Sequence, residues 1–211
     1  MRLALLGGTG RIGRHLLTST LAAGHEVTVL ARDPAGLSGQ PAASGALTVI
    51  GGGATDQAAV HAAVDGADAV LSALGPRGAK TPDLLGIAAR NITAAMEKTG
   101  ARRLICVSAA GAFIESDPDM GRLVKLILPR VFATNFADTR EMEAAIAESG
   151  LDWTMVRAAR LVNTPETGRY RVRPDYPPQG GGKISRADVA HFMAAVLADG
   201  SWIGGRPALA Y

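Results

Sequence analysis

The chain is poor in cysteine, in aromatic rings and in charge. Cys106 is the single cysteine among 211 residues. That excludes an intramolecular disulfide framework and suits a reducing compartment. Aromatic residues make up 4% and charged residues 19%. No apolar run approaches the roughly 18 residues of a membrane span. The apolar start, Leu3 to Leu6, stops at Gly7-Gly8, short of the roughly 7–15 residues of a secretory signal core. Lys and Arg number 22 against 19 Asp and Glu, a formal charge of +3. The basic residues form no run, so no nucleic-acid partner is implied. His15, His25, His61 and His191 show no metal-ligand spacing with Cys106 or with a carboxylate pair, so no metal site is expected. The expectation is a soluble, cytoplasmic protein without a membrane partner, a monomer or small homo-oligomer.

What is abundant is small and apolar. Hydrophobic residues reach 47% and Gly 26 of 211, enough for a full core with tight turns. Arg2 to Leu6 reads as a strand, followed by Gly7-Gly8-Thr9-Gly10-Arg11-Ile12-Gly13. Ile12, Leu16, Leu17 and Leu21 then recur at helical spacing, and His25 to Leu30 is a second strand. The alternation continues with strands at Leu47–Ile50, Ala69–Leu74, Arg103–Ser108, Trp153–Arg157 and Arg206–Ala210, and helices at Asp56–Val64, Asp83–Lys98, 137–149 and Ser185–Ala198. Such a pattern predicts an α/β fold, a doubly wound parallel sheet of the Rossmann type, as one domain over 1–211 with a small C-terminal substrate-loop region. Gly75 to Pro82 and Arg171 to Gly182 read as mobile loops.

Gly7, Gly10 and Gly13 follow a buried strand and open a helix. In that context they provide a tight turn, a close backbone approach to a pyrophosphate, and close packing of helix on strand. The end of the second strand, where the adenosine ribose is read, carries Arg32-Asp33-Pro34. Arg32 suits a 2′-phosphate, with Arg11 as a second cation. Asp33 suits a ribose hydroxyl, or merely opens a turn before Pro34. The arginines favour NADPH, with NADH as second choice. Gly75 and Arg77 follow the fourth strand, at phosphate reach. Ser108, at the end of the fifth strand, stands at the position beside the nicotinamide or simply caps a strand end. Cys106 reads as a buried, inert thiol. Met120, Leu123, Val124, Ile127, Leu128 and Val131 share a helical face with Arg122, Lys125 and Arg130 around it. A helix over the site or at a subunit contact is preferred to a membrane-surface helix, and Pro129 should bend or end it.

These segments resemble the atypical short-chain dehydrogenase/reductases, and within them the biliverdin-IXβ reductase/flavin reductase group. The likeness rests on the glycine turn, Val27–Asp33, Ala89–Met96, Val107-Ser108-Ala109, Glu148–Trp153, Pro165-Glu166-Thr167-Gly168-Arg169-Tyr170-Arg171-Val172 and Ile184–Met193. It implies a Rossmann fold, NADPH, and hydride transfer to a flavin, a quinone or a linear tetrapyrrole. It also implies that Gly7, Thr9, Gly10, Arg11, Ile12 and Gly13 form the pyrophosphate turn. Arg32 becomes the 2′-phosphate contact, Gly75 and Arg77 border the pyrophosphate, and Ser108 lies at the nicotinamide. Two substrate-pocket histidines of the tetrapyrrole reductase match Thr139 and Arg160 here, and the acid after strand three is replaced by Gly52-Gly53. Arg160 would suit an anionic acceptor such as FMN, or a plain surface salt bridge. No Tyr-x-x-x-Lys pair is present, which disfavours carbonyl–alcohol chemistry and epimerisation, since the Tyr is the acid/base there. A flavin-like planar acceptor needs no such acid. The alternative is an NmrA-like redox sensor that binds NAD(P)H without turnover.

Overall fold

A computed structural model describes residues 1–37, 45–75 and 83–211. Its elements, in chain order, are β1 (Arg2–Leu6), α1 (Arg11–Ala22), β2 (Glu26–Ala31), β3 (Leu47–Gly51), α2 (Gln57–Val64), β4 (Ala69–Ser72), α3 (Leu84–Thr99), β5 (Arg103–Ala109), α4 (Arg122–Val131), α5 (Ala133–Ala147), β6 (Asp152–Ala158), β7 (Arg160–Val162), β8 (Arg171–Pro174), β9 (Lys183–Ser185), α6 (Arg186–Asp199) and β10 (Pro207–Ala210). Short 3₁₀ segments cover Pro34–Leu37 and Ala110–Ser116.

Eight strands form one sheet in the order β3-β2-β1-β4-β5-β6-β10-β8. All neighbours are parallel except the edge pair β10–β8. The order reverses between β1 and β4, which makes the crevice over their C-terminal ends the place for a ligand. Strand parity divides the core. Leu3, Leu5, Ile105 and Leu209 face α1 and α6, against Leu16, Leu17, Val189 and Met193. Ala4, Leu6, Leu104, Cys106 and Met155 face α2, α3 and α5, against Val60, Ile92, Met96, Met142 and Ile146. The sheet is covered on both faces, as the two-sided apolar strands require.

Several helix ends are set by local signals. Asp56 caps α2 through Ala58 N and Ala59 N, Gly100 ends α3 at φ +81°, and Ser185 caps α6 through Asp188 N. Others differ. The start of α3 is capped by Asp138 of α5, whose carboxylate accepts from Leu85 N and Gly86 N at 2.9 and 2.8 Å, and Asp83 makes no side-chain cap. Arg171–Pro174 is an edge strand rather than loop: its carbonyls and N–H groups are met by β10, antiparallel, and Pro174 sits where no further strand pairs. Lys183–Ser185 pairs β7 in a separate two-stranded sheet. Pro129 lies in the last turn of α4, which runs on to Val131 before α5 begins. Pro76 to Pro82 lie outside the described residues.

Asp188 ties the C-terminal third together. It is fully buried and accepts from Thr167 N, Gly168 N, Thr167 Oγ1, Ser185 Oγ and Tyr211 Oη at 2.6–3.0 Å. Tyr170 Oη lies 2.8 Å from His191 Nδ1. The segments Pro165–Val172 and Ile184–Met193 are thus a clasp between the strand region and α6. Burial alone would raise the Asp188 pKa, but the Tyr211, Thr167 and Gly168 hydrogen bonds outweigh it and hold the group down, at about 2. A carboxylate depressed in the fold gives stability that is complete above its unfolded value of 3.8 and disappears as pH falls through about 2. Asp188→Asn is expected to cost on the order of 2 kcal/mol at neutral pH. Urea unfolding at pH 7 and pH 3 checks this: the gap between wild type and variant should narrow at the lower pH.

Candidate active site

Four segments converge on one cavity of about 340 Å³. Leu6, Gly7, Thr9 and Gly10 come from the glycine turn, Leu30 and Arg32 from the end of β2, Gly52 to Thr55 from the turn after β3, and Ala73 to Gly75 from the end of β4. Gly7 sits at φ +84°, and a Cβ there would lie 2.7 Å from the Ala73 carbonyl oxygen. A Cβ on Gly13 would lie 2.1 Å from the Gly7 carbonyl oxygen. Gly10 N donates to Gly7 O at 2.9 Å, and Gly10 O accepts the first rung of α1 from Arg14 N. The N–H groups of Arg11, Ile12 and Gly13 precede that rung, and no acid stands in the first turn. A helix start of this kind is a ready anion site. The cradle fits the pyrophosphate and adenosine half of a dinucleotide.

Arg32 is exposed on the cavity wall. Asp33 is used locally, its carboxylate accepting from Ala35 N at 3.1 Å, so it acts as a turn opener. Arg11 is exposed at the first position of α1 and does not line the cavity; its charge is felt by Arg186 on α6, whose pKa is lowered first by burial and then by Arg11. Of the two arginines, Arg32 lines this cavity and Arg11 stands at its outer side on α1. Ile12 is buried behind the turn. A residue missed in the sequence, Arg14, holds the turn in place: its guanidinium donates to Thr9 O at 3.2 Å and Gly36 O at 2.9 Å. Arg77 lies outside the described residues.

Ser108 closes β5 on the α5 face. It is 5% exposed, and its hydroxyl donates to Glu143 Oε1 at 2.5 Å. Glu143, on α5, is itself buried and bridged by Arg157 Nε and Nη2 at 3.0 and 2.6 Å and by Arg206 Nε at 3.2 Å. The Arg157 guanidinium lies 3.5 Å from the Phe113 ring centroid and donates to Asp175 O. A second cavity of about 360 Å³ opens beside this cluster, between Phe113, Arg140, Tyr176 and Arg206. Sequence reasoning missed Glu143, Arg157 and Arg206. The available signal was the spacing of Thr139 and Glu143, four apart on the buried face of α5, the spacing at which a Tyr-x-x-x-Lys pair is sought. Thr139 turns its hydroxyl back to Asn135 O at 2.8 Å. Arg160 is exposed on β7. Neither lines either cavity. Cys106 is buried in β5, and burial, then the Glu143 charge, push its thiol pKa up; it is inert.

A family model described as NAD(P)H-binding matches residues 7–200. The chain belongs to that NAD(P)H-binding family. This agrees with the NAD(P)-binding Rossmann resemblance read from the sequence. The isoflavone reductase homolog IRL of Zea mays is 36% identical over 80 residues. That match spans 35% of this chain and 26% of the relative, so the chain aligns with about a quarter of that protein. A putative NAD-dependent epimerase/dehydratase of Bacillus halodurans superposes with a TM-score of 0.82 at 25% identity, over 100% of this chain and 94% of that one. The anaerobillin reductase ChuY of Escherichia coli O157:H7 superposes with a TM-score of 0.81 at 22% identity, over 100% and 97%, a likeness of fold.

The glycine contacts generate a sharp expectation for this NAD(P)H-binding protein. Gly13→Ala forces backbone apart, which should cost at least about 2 kcal/mol of stability and weaken nucleotide binding. Urea denaturation and a nucleotide-fluorescence titration read the two effects, and wild-type behaviour in both would show that the turn is not under this constraint.

Proposed function

We propose that the protein is an NADPH-dependent reductase of a flavin, quinone or related planar acceptor. The observation that carries the reading is the Ser108–Glu143 contact. The hydroxyl at the end of β5 spends its proton on Glu143, and two guanidiniums hold that carboxylate in place. No Tyr-x-x-x-Lys pair stands by to act as acid. A carbonyl substrate needs a proton delivered to its oxygen as the alkoxide forms. A planar, electron-poor ring system takes hydride without one and collects its proton from solvent. When bound, the reduced nicotinamide supplies the hydride. The chain's own task is to seat the dinucleotide, orient the acceptor and keep the reacting face dry. With its hydroxyl hydrogen committed, Ser108 can only accept a hydrogen bond from a neighbouring group, which makes it an orienting residue.

The cofactor preference rests on Arg32, a cation on the cavity wall, and on Asp33 being occupied with its own turn. Losing a charged hydrogen bond costs roughly 1.5–3 kcal/mol. Arg32→Ala should therefore weaken NADPH about 10- to 100-fold and leave NADH nearly unchanged; equal losses for both would remove the 2′-phosphate assignment. A cytoplasmic location belongs to the same proposal. Among the described residues no helix is long and apolar enough to cross a membrane.

The deciding experiment is anaerobic NADPH oxidation followed at 340 nm with FMN, riboflavin, a quinone and biliverdin in turn. Saturable turnover with at least one is expected. Ser108→Ala should lower it by less than about tenfold, against the roughly 10²–10⁴-fold that a general acid contributes. Tight NADPH binding with no turnover on any acceptor would instead favour a dinucleotide sensor, a reading that the committed Ser108 hydroxyl and the inward-turned Thr139 hydroxyl also suit.

A further inference from the structure

Amphipathic helices of globular proteins normally turn their apolar stripe to the core. α4 does not. None of its residues is buried. Leu123 is 68% exposed, Val131 66%, Leu126 53% and Ile127 50%, with Phe132 following at 42%. The helix rests on the rest of the molecule through the 3₁₀ segment Ala110–Ser116 and α5, and Leu123, Val124, Leu126, Ile127 and Val131 are left at the surface. A contiguous apolar patch of this kind marks an interaction surface.

Charge identifies what covers it. Arg122, Lys125 and Arg130 stand among these apolar side chains, and no Asp or Glu occurs from Gly121 to Ala137. The acids just upstream are withdrawn: Glu115 is paired with Arg140, Asp117 is buried and Asp119 is bound to Arg173. Downstream, Glu141 is paired with Arg90. A two-fold contact between copies through this face would set three cations against the same three with no local acid to pair them. An anionic bilayer surface satisfies both features at once. Its headgroups take the cations, and the boundary below them takes Leu123, Leu126, Ile127, Val131 and Phe132.

We propose that α4 docks the protein reversibly on anionic lipid surfaces, lying in the plane of the interface. The proposal does not depend on the catalytic reading. Its test is co-sedimentation of the full chain with vesicles of phosphatidylcholine alone and of phosphatidylcholine mixed with phosphatidylglycerol. Binding to the anionic vesicles is expected, weakened by salt, with little binding to the neutral ones. Lys125→Gln should reduce the affinity about fivefold, and the double variant Leu126→Ser, Ile127→Ser should abolish it. The double variant should keep the wild-type Tm and NADPH affinity, because Leu126 and Ile127 are both exposed and neither belongs to the glycine turn. Absence of pelleting with either vesicle overturns the proposal, as does equal binding to neutral and anionic lipid. Concentration-dependent self-association that the Leu126/Ile127 variant removes, without vesicle binding, would reassign the face to a second copy.

Discussion

Everything at the cofactor end of the molecule depends on how closely three backbone segments approach at the β1–α1 turn. A single methyl group on Gly13 would overlap the Gly7 carbonyl, and one on Gly7 would overlap the backbone after β4. This contact sets the height of α1 above β1 and the separation of β1 from β4 at the point where the sheet changes direction. The crevice at that point exists because the backbones meet there without side chains. Arg14 then fastens the turn to the segment after β2, so that Arg32 is presented to the same crevice from a fixed direction.

The second organising feature is electrostatic. Glu143 is a buried carboxylate beside the second cavity, and Arg157 and Arg206 answer it. Burying such groups is costly unless every partner is in place. Here the guanidinium of Arg157 is spent on Glu143 and Asp175 O, and its face covers the Phe113 ring. The cluster joins α5, β6, the approach to β10 and the end of β5. It therefore couples the position of Ser108 to the packing of the whole C-terminal half.

The parallel strands, the glycine turn and most helix positions were legible because each is a local pattern: two-sided apolar runs, helical spacing, and glycines between a strand and a helix. What escaped was non-local. Asp138 caps α3 through a backbone N–H 53 residues earlier, and Glu143 answers residues up to 63 positions away. Nothing in the neighbourhood of either residue announces this. Arg171–Pro174 was misread because an edge strand carries charge and proline, the marks of a loop. Thr139 and Arg160 drew notice through family likeness, yet the charged network is built from Glu143, four residues after Thr139, and Arg157, three before Arg160. The segments most specific to the family, Pro165–Val172 and Ile184–Met193, meet at Asp188 and act as a structural fastening.

The strand that looked like a loop has one more effect. An open sheet is exposed to growth by strand addition at its rim, and this one ends on β8. There the rim presents Arg171 and Arg173, with guanidiniums tethered to Tyr211 O and Asp119, and Pro174, which has no N–H to offer. Like charge and a missing donor make a poor template for another chain. The same four residues that finish the fold at this edge also guard this edge against pairing with another chain.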